Sequence, residues 1–143
     1  MSPDEHMLSV EVLTPEGEVF SGDVRQVSTR TAVGEIGILA NHVPILAALE
    51  PTELRLHLSD SEIERYAQAH GWLQVFANHA LILVEEAVPP DQLDPARLRD
   101  QLQDAEQRLS EAEDESADAE RAEKDRKRAE AFLELAGGGG SDR

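Results

Sequence analysis

Cysteine is absent from this 143-residue chain, and aromatic residues make up only 3% of it. Without cysteine the chain can form neither a disulfide framework nor a thiolate metal site, which fits a reducing compartment. So few aromatic residues argue against a large aromatic-lined ligand pocket or a base-stacking surface. With 40% hydrophobic and 30% charged residues, the composition indicates one ordinary globular domain, or one small domain with an appendage.

Positive charge is also scarce: 13 Lys and Arg residues stand against 30 Asp and Glu residues, for a formal net charge of −17 at pH 7. Nucleic-acid binding depends on Lys and Arg that neutralise phosphates, so this balance argues against a general nucleic-acid binder. No run approaches the roughly 18 apolar residues of a transmembrane helix. The opening MSPDEHMLSVEV lacks the basic start of a signal peptide. We therefore expect any work at a membrane to go through a partner.

Between residues 8 and 88 the apolar residues recur at a spacing of two, as in half-buried antiparallel strands. Two examples of this alternation are Leu8, Val10 and Val12, and Leu54, Leu56 and Leu58. Turn-forming residues separate the strands at 14–18, 21–23, 50–51, 59–62, 70–71 and 77–79. The pattern predicts a β-sandwich, or flattened antiparallel barrel, over residues 1–88.

Prolines end the strand pattern, and we expect residues 89–94, which begin with Pro89 and Pro90, to form a linker. Asp94 can cap a helix that has Pro95 at its first position. Apolar residues then recur at helical spacing: Leu98, Leu102, Ala105, Leu109 and Ala112. This spacing predicts a helix that packs along one side.

A second helix is predicted from Ser116, its N-cap, to Ala136, with Gly137 placed to end it. Two such helices predict an antiparallel hairpin over residues 95–136. The partner-facing residues of the second helix are expected to be Ala119, Ala122, Arg126, Ala129, Leu133 and Ala136. Because methyl groups bury little apolar area, we expect this hairpin to be marginally stable and easily opened. The glycine-rich residues 137–143 are predicted to be a disordered tail.

No sequence motif supports catalysis or metal binding. The five histidines show no HxH or HExxH spacing: His6, His42, His57, His70 and His79. The chain also lacks a GxSxG nucleophile motif and a glycine-rich phosphate-binding loop with lysine. We therefore predict that the chain is not an enzyme and has no catalytic residue and no metal ligand. A metal-dependent barrel enzyme is the competing interpretation.

One dense basic cluster lies on the second predicted helix, in the segment EKDRKRAE at residues 123–130. It contains Lys124, Arg126, Lys127 and Arg128. One interpretation is a solvated helix face with Glu–Lys pairs four residues apart, each worth a few tenths of a kcal/mol. The other is a cation patch for an acidic protein surface, exposed when the helix leaves the hairpin.

The segment GEIGILANHVPIL at residues 34–46 is similar to a signature of the epsilon subunit of rotary F-type ATP synthases: Gly-Glu-hydrophobic-Gly-hydrophobic, then His-x-Pro. The preceding VLTPEGEVFSGDVRQVSTRTAV and the later HGWLQVFANHALILVEEA resemble the same family. The resemblance runs over residues 8–135 and includes the predicted sandwich, linker and helical hairpin.

This resemblance implies a non-catalytic central-stalk subunit of a proton-translocating ATP synthase, coupling c-ring rotation to the catalytic head. It implies that the sandwich grips the gamma subunit and stands on the c-ring, with Glu35 and His42 at the ring-facing positions. The implied location is peripheral, on the cytoplasmic face of the bacterial plasma membrane, with membrane contact only through the complex. The alternative is a sandwich-plus-hairpin adaptor unrelated to ATP synthase.

The resemblance also implies a regulatory hairpin that is either folded against the sandwich or extended along gamma, where it inhibits ATP hydrolysis. In the extended state, five cations are expected to meet the acidic segment of a catalytic beta subunit: Arg121, Lys124, Arg126, Lys127 and Arg128. A weakly packed hairpin keeps two such states within a few kcal/mol, as switching requires.

For the loop that begins at Gly34, we expect glycines to allow tight turns and proline to stiffen the exit, with Glu35 and His42 pointing outward. Four apolar side chains are expected to anchor this loop in the core: Ile36, Ile38, Leu39 and Ile45. A plain structural turn without a partner is the competing interpretation.

Some epsilon subunits bind ATP through a hydrophobic-Asp-x-x-Arg-Ala motif. The matching LDPARL keeps Asp94 and Arg97, but Leu98 replaces the alanine and Asp104 stands where nucleotide-binding members carry a basic residue. A carboxylate facing the phosphates argues against ATP as a regulatory ligand. Helix capping and a surface ion pair account for Asp94 and Arg97 as well, and we expect no cofactor.

Overall fold

The computed structural model describes residues 6–137. The chain divides into two compact units, with the first ending at Ala87 and the second beginning at Val88. Among the described residues, no helix is long and apolar enough to cross a membrane. The predicted tail after Gly137 lies outside the described residues.

Among the described residues, ten β-strands form one continuous hydrogen-bonded sheet, which makes up the first unit and ends at the boundary with the second. In chain order they are β1 (Leu8–Thr14), β2 (Gly17–Val24), β3 (Gln26–Thr31), β4 (Gly34–Leu39), β5 (Ile45–Leu49), β6 (Thr52–His57), β7 (Ile63–Gln68), β8 (Gly71–Phe76), β9 (His79–Val84) and β10 (Ala87–Val88). The strand order is β10-β7-β6-β3-β5-β8-β9-β1-β2, and β4 branches off by pairing with β3. The predicted sandwich, or flattened barrel, is confirmed.

Most of the ladders are antiparallel, as the alternating pattern predicts, but β1 and β9 pair in parallel, with Val10 beside Ala80. β1 also pairs antiparallel with β2, so the first strand is hydrogen-bonded on both edges. The parallel pairing of β1 with β9 joins strands from opposite ends of the unit, and no local sequence pattern indicates it.

The core of the sheet is aliphatic and follows the period-two pattern. Leu8, Val10 and Val12 of β1 are completely buried, and so are Leu54 and Leu56 of β6. These five side chains confirm the predicted faces, because alternate residues of a strand point to the same side of the sheet. Leu58, which was predicted to share a face with Leu54 and Leu56, follows the end of β6 and is half-buried.

The predicted turn at residues 21–23 is wrong. This Ser-Gly-Asp segment continues β2, where Gly22 pairs with Val10 and Asp23 with Ser9. The ladder with β1 continues through the segment, so its turn-like composition does not end the strand.

The second unit contains a short 3₁₀ helix (Pro90–Gln92) and two helices, α1 (Pro95–Glu111) and α2 (Ala117–Ala136). The predicted caps are present. One carboxylate oxygen of Asp94 accepts hydrogen bonds from the backbone N–H groups of Ala96 and Arg97, at 3.1 and 3.4 Å. The hydroxyl of Ser116 accepts one from the Ala119 N–H at 3.1 Å. Both helices therefore begin where a side chain satisfies otherwise unpaired N–H groups.

The buried stripe of α2 differs from the prediction. Its buried residues are Ala122, Ala129 and Phe132, whereas Arg126 and Leu133 are only half-buried. Phe132 was not expected in this stripe, yet it is completely buried. Burying one phenylalanine side chain contributes about 1.5–3 kcal/mol. The expectation that α2 presents almost only methyl groups is therefore wrong at this position.

Candidate functional site

The ring-facing segment predicted from the sequence is a β-hairpin formed by β3 and β4. Its turn is fixed by Thr31, whose hydroxyl accepts a hydrogen bond from the Val33 N–H at 3.2 Å and donates one to the Gly34 carbonyl at 3.0 Å. Gly34 has φ of +135°, a conformation that side-chain-bearing residues rarely adopt. This geometry leaves the Val33 side chain 98% exposed at the tip.

Glu35 lies on β4 directly opposite Arg30 of β3. The Arg30 guanidinium donates a hydrogen bond to the Glu35 carboxylate at 3.1 Å, and the Glu35 side chain is 70% exposed. The predicted outward orientation of Glu35 agrees with this geometry. The carboxylate is exposed to solvent while it is paired with Arg30. The surface at this position therefore presents an ion pair and not an isolated negative charge.

The prediction that four apolar residues anchor this segment is wrong for Leu39, which is 57% exposed. Ile38 pairs with buried Val27 and is completely buried, while Ile36 is half-buried on the same face. Residues 34–39 form a strand, so its odd-numbered side chains point away from the core. Gly37 lies within this strand and makes no turn.

His42 lies in the connection between β4 and β5 and is half-buried. Its Nδ1 donates a hydrogen bond to the Val43 carbonyl at 2.7 Å, and its backbone N–H donates to the Leu39 carbonyl. The connection is tied to the β8–β9 turn, since the Asn41 N–H donates to the side-chain oxygen of Asn78 at 2.7 Å. With Nδ1 occupied, the other imidazole nitrogen is the one that can meet a partner.

The structure also has a surface that was not expected from the sequence. The outer side of strands β5, β8 and β9 exposes large apolar side chains, which are here called the apolar face. Its members, with their exposed fractions, are Leu46 (68%), Trp72 (54%), Phe76 (63%) and Leu83 (43%). Leu46 lies beside Gln74, and Trp72 lies beside Leu83, so the members sit on adjacent strands. The signal was present in GWLQVF, where both phases of the alternation are apolar, but only one phase can face the core.

The five predicted cations of α2 differ in what they contact. Arg126 donates to both oxygens of Glu123 at 2.8 and 2.7 Å and to Glu130 at 2.9 Å, all within the helix. These hydrogen bonds, those with Glu123 above all, raise the pKa of Arg126, and they lower the pKa of Glu123. Arg121 contacts Asp118 at 3.4 Å. Pairs three and four residues apart are therefore present at Arg121 and Arg126, which are arginines and not the lysines of the predicted Glu–Lys pairs.

Arg128 contacts the other helix. Its guanidinium donates to the side-chain oxygen of Gln101 in α1 at 3.0 Å and lies 4.7 Å from the centre of the Phe132 ring. Lys124 and Lys127 are exposed on α2. The dense basic segment therefore contains cations in different environments.

One of the two residues considered for nucleotide contact has a structural role. Asp94 caps α1, while Arg97 lines an open groove of about 450 Å³ along the hairpin. The other lining residues are Asp100, Gln101, Asp104, Arg108, Asp125 and Arg128. Asp104 accepts a hydrogen bond from Arg108 at 2.9 Å. Carboxylates and guanidiniums compensate each other in this groove, which is unfavourable for a polyphosphate. Within residues 6–137 no group of three or more His, Cys, Asp or Glu is arranged to hold a metal ion.

The fold defines a class of protein: a β-sandwich followed by a two-helix appendage. The family model described as ATP synthase, Delta/Epsilon chain, beta-sandwich domain matches residues 7–90. The chain therefore belongs to the epsilon-chain family of ATP synthases, whose members are non-catalytic subunits of the complex.

Two curated relatives define the extent of the match. The ATP synthase epsilon chain of Persephonella marina is 42% identical over 103 residues, which are 72% of this chain and 76% of the relative. The epsilon chain of a Sulfurihydrogenibium species is 38% identical over 130 residues, or 91% of this chain and 97% of the relative. The second match includes the helical hairpin as well as the sandwich.

Two solved structures have a similar fold. One chain in a structure of the Euglena gracilis mitochondrial ATP synthase, comprising OSCP, F1 and c-ring, has a TM-score of 0.73 at 22% identity, covering 92% of this chain and 81% of that one. A chain in the central stalk and c-ring structure of the Tetrahymena thermophila enzyme has a TM-score of 0.57 at 18% identity, covering 90% and 95%. At these identities the comparison shows the fold. The alternative adaptor unrelated to ATP synthase is wrong, because the family match places the chain among epsilon subunits.

Proposed function

We propose that this epsilon subunit couples c-ring rotation to the catalytic head by binding the gamma subunit and the ring through its sandwich, and that its hairpin restrains ATP hydrolysis. The proposal rests on the family to which the chain belongs and on the surfaces described above. The coupling ion is the proton in this proposal. Contact with the cytoplasmic face of a bacterial membrane runs through the ring.

The observation that carries gamma binding is the apolar face. Trp72 and Phe76 expose more than half of their surface on the outer side of the sheet, whereas the buried core of the sheet is aliphatic. Contiguous exposed apolar groups mark protein interaction sites, because a soluble surface seldom leaves several large apolar side chains side by side in water. Aromatic side chains also dominate the energetics of protein interfaces. We therefore assign the gamma contact to the apolar face, with Trp72 as a principal contact.

Substituting Trp72→Asp tests this assignment. The expected result is a loss of at least about 30-fold in affinity for purified gamma, as for an interface residue worth 2 kcal/mol or more, measured by titration calorimetry. Ser61→Asp, in the exposed connection between β6 and β7, adds the same charge away from the apolar face and is expected to bind gamma normally. Equal binding by both variants and the parent chain would exclude the apolar face as the gamma contact.

For the ring, the proposal uses the tip of the β3–β4 hairpin and the following connection. Glu35 with its partner Arg30 offers a hydrogen-bonding dipole, and the half-buried ring of His42 lies in a connection tied down through Asn41. Polar loops on a rigid sheet are suited to contacts that must carry torque, because the backbone behind them is fixed by ladder hydrogen bonds. The polar loops of the c-ring are the partner that this geometry suits.

For hydrolysis, the proposal is that α2 reaches an acidic segment of a catalytic beta subunit when the hairpin is extended. The supporting feature is the basic segment around Arg128 in a chain of net charge −17. Opposite charges speed encounter and set the register of such a contact. The contacting cations are Arg121, Lys124, Arg126, Lys127 and Arg128.

A further inference from the structure

Five polar residues connect the two helices of the hairpin and are called the interhelical cluster: Gln101, Asp104 and Arg108 of α1, and Asp125 and Arg128 of α2. Arg108 donates through Nε to Asp104 at 2.9 Å and through a terminal nitrogen to Asp125 at 2.8 Å. The first contact is within α1 and the second crosses to α2. Arg108 thus joins a carboxylate of its own helix to one of the opposite helix.

The contact with Asp104 orients Arg108 for the crossing. Residues four apart on a helix are neighbours, so Asp104 can hold the guanidinium plane before α2 is in place. A fork of donors in a fixed plane loses less side-chain entropy when it takes a second acceptor. Consistent with this arrangement, hydrogen bonds with Asp125 and then Asp104 raise the pKa of Arg108.

Arg128 makes the second crossing, from α2 back to Gln101. It contrasts with Arg126, whose contacts with Glu123 and Glu130 are all made inside α2. Opening the hairpin would separate Arg128 from Gln101 while leaving the contacts of Arg126 intact. Of these two arginines, Arg128 is the one with a hydrogen bond to α1, at 3.0 Å, that depends on a closed hairpin.

We propose that the interhelical cluster holds the hairpin closed and keeps Arg128 engaged with α1, so that ionic strength, and no anionic ligand, sets how often the helices separate. The role of Arg128 in inhibition rests on the proposed function, whereas the closure of the hairpin does not. The charges lining the groove agree with this inference, because it is lined by as many carboxylates as guanidiniums, and Arg108 is already paired with two of them.

The size of the expected effect follows from exposure. The Arg108 and Asp125 side chains are 40% and 48% exposed, so solvent and salt screen their attraction. Such a pair shifts an equilibrium by a small factor, yet a small factor matters when two states lie close in free energy. We expect the loss of the crossing pair to raise the fraction of open hairpin about two- to fivefold.

Hydrogen exchange of the full-length chain, followed by mass spectrometry, tests the proposal without any other subunit. Asp125→Asn removes the charge at nearly unchanged size, and the amides of α1 and α2 are expected to exchange about two- to fivefold faster at low salt. Exchange in α1 is the decisive readout, because a local effect within α2 would leave α1 unchanged. Glu111→Gln is the matched control: it also removes one exposed helix carboxylate, but its neighbour Gln107 lies on the same helix.

Exchanging the charges of Arg108 and Asp125 distinguishes the attraction between the two helices from an effect on helix propensity. Asp104→Asn serves as the background, because an aspartate at position 108 would otherwise face a like charge four residues away. In that background Arg108→Asp is expected to accelerate exchange, and adding Asp125→Arg is expected to bring it back towards the rate of Asp104→Asn alone. Raising sodium chloride should accelerate exchange in the parent chain and have less effect in Asp125→Asn. The proposal is overturned if Asp125→Asn and Glu111→Gln exchange alike, or if the reversed pair fails to restore protection. Either result leaves the gamma and ring contacts of the sandwich untouched.

Discussion

At the scale of single residues, the β3–β4 tip shows how a charged side chain can be exposed to solvent and still be paired with an opposite charge. Glu35 is exposed and yet is paired with Arg30 across the ladder. An exposed pair of this kind contributes about 0–1 kcal/mol to folding. Its removal is therefore expected to affect binding much more than stability, which makes the ring contact testable by mutation.

Replacing Glu35 and His42 together by alanine is expected to weaken association with the c-ring while leaving the melting temperature nearly unchanged. The reason is that both side chains make local contacts at the surface, with Arg30 and with the Val43 carbonyl. Co-purification of the assembled enzyme with the ring measures association, and calorimetry measures melting.

Asp60→Ala provides the control for that experiment. Asp60 accepts a hydrogen bond from Arg25 at 2.8 Å in another exposed ion pair, away from the β3–β4 tip. This control should retain normal ring association. If the double alanine variant also associates normally, the two side chains belong to a plain structural turn.

The same segment shows what a sequence can predict at this scale. The exposure of Glu35 followed from its charge, and the burial of Ile38 from its hydrophobicity. Leu39 could not be assigned in this way, because Ile36, Ile38 and Leu39 are all apolar and the phase of the strand decides which of them face inward. That phase depends on pairing with Val27 of β3, a contact outside the segment.

At the scale of elements, the close approach of β8 and β9 at Gly71 is a constraint that hydrophobic patterning does not reveal. Gly71 begins β8 and pairs with both Leu49 and Val84. A β-carbon added there would overlap the Leu83 carbonyl oxygen and come within 2.7 Å of the Val84 Cα atom. Backbone atoms of a paired strand cannot move aside as a flexible side chain can, so only glycine fits.

Gly71→Ala is expected to lower the free energy of unfolding by about 3 kcal/mol, the upper end of typical overpacking costs. Urea unfolding followed by the fluorescence of the single tryptophan, Trp72, measures the change. Gly22→Ala, also within a strand, is the control, since its added carbon would lie 3.4 Å from the Phe20 ring, which can adjust. Equal stability of the two variants would contradict the proposed backbone clash.

The helices illustrate a different limit of sequence analysis. Their starts were predictable from Asp94 and Ser116, because capping is a local interaction. The buried stripe of α2 was not, since the stripe through Arg126 and the stripe through Asp125 and Phe132 are each interrupted by one charge. Arg108 on the opposite helix compensates the charge of Asp125, and this contact cannot be read from α2 alone.

At the scale of the whole molecule, acidic charge and apolar exposure have separate roles. The net charge of −17 keeps the chain soluble and repels other acidic proteins. The apolar face and the basic segment of α2 depart from that background, and they lie in different compact units. This separation supports an arrangement in which the sandwich stays bound while the hairpin changes state.

Removing the residues after Ser116 is expected to raise ATP hydrolysis by the assembled enzyme about fivefold or more, the lower range of allosteric coupling. The truncation deletes α2 with its cations but leaves every strand of the first unit, so binding to gamma should persist. A truncation after Gly137 removes only the glycine-rich segment and is expected to hydrolyse ATP at the parent rate. Steady-state hydrolysis and gamma affinity are measured on the same preparations, because loss of the subunit would also raise hydrolysis. Unchanged hydrolysis with gamma still bound would mean that α2 does not inhibit this enzyme.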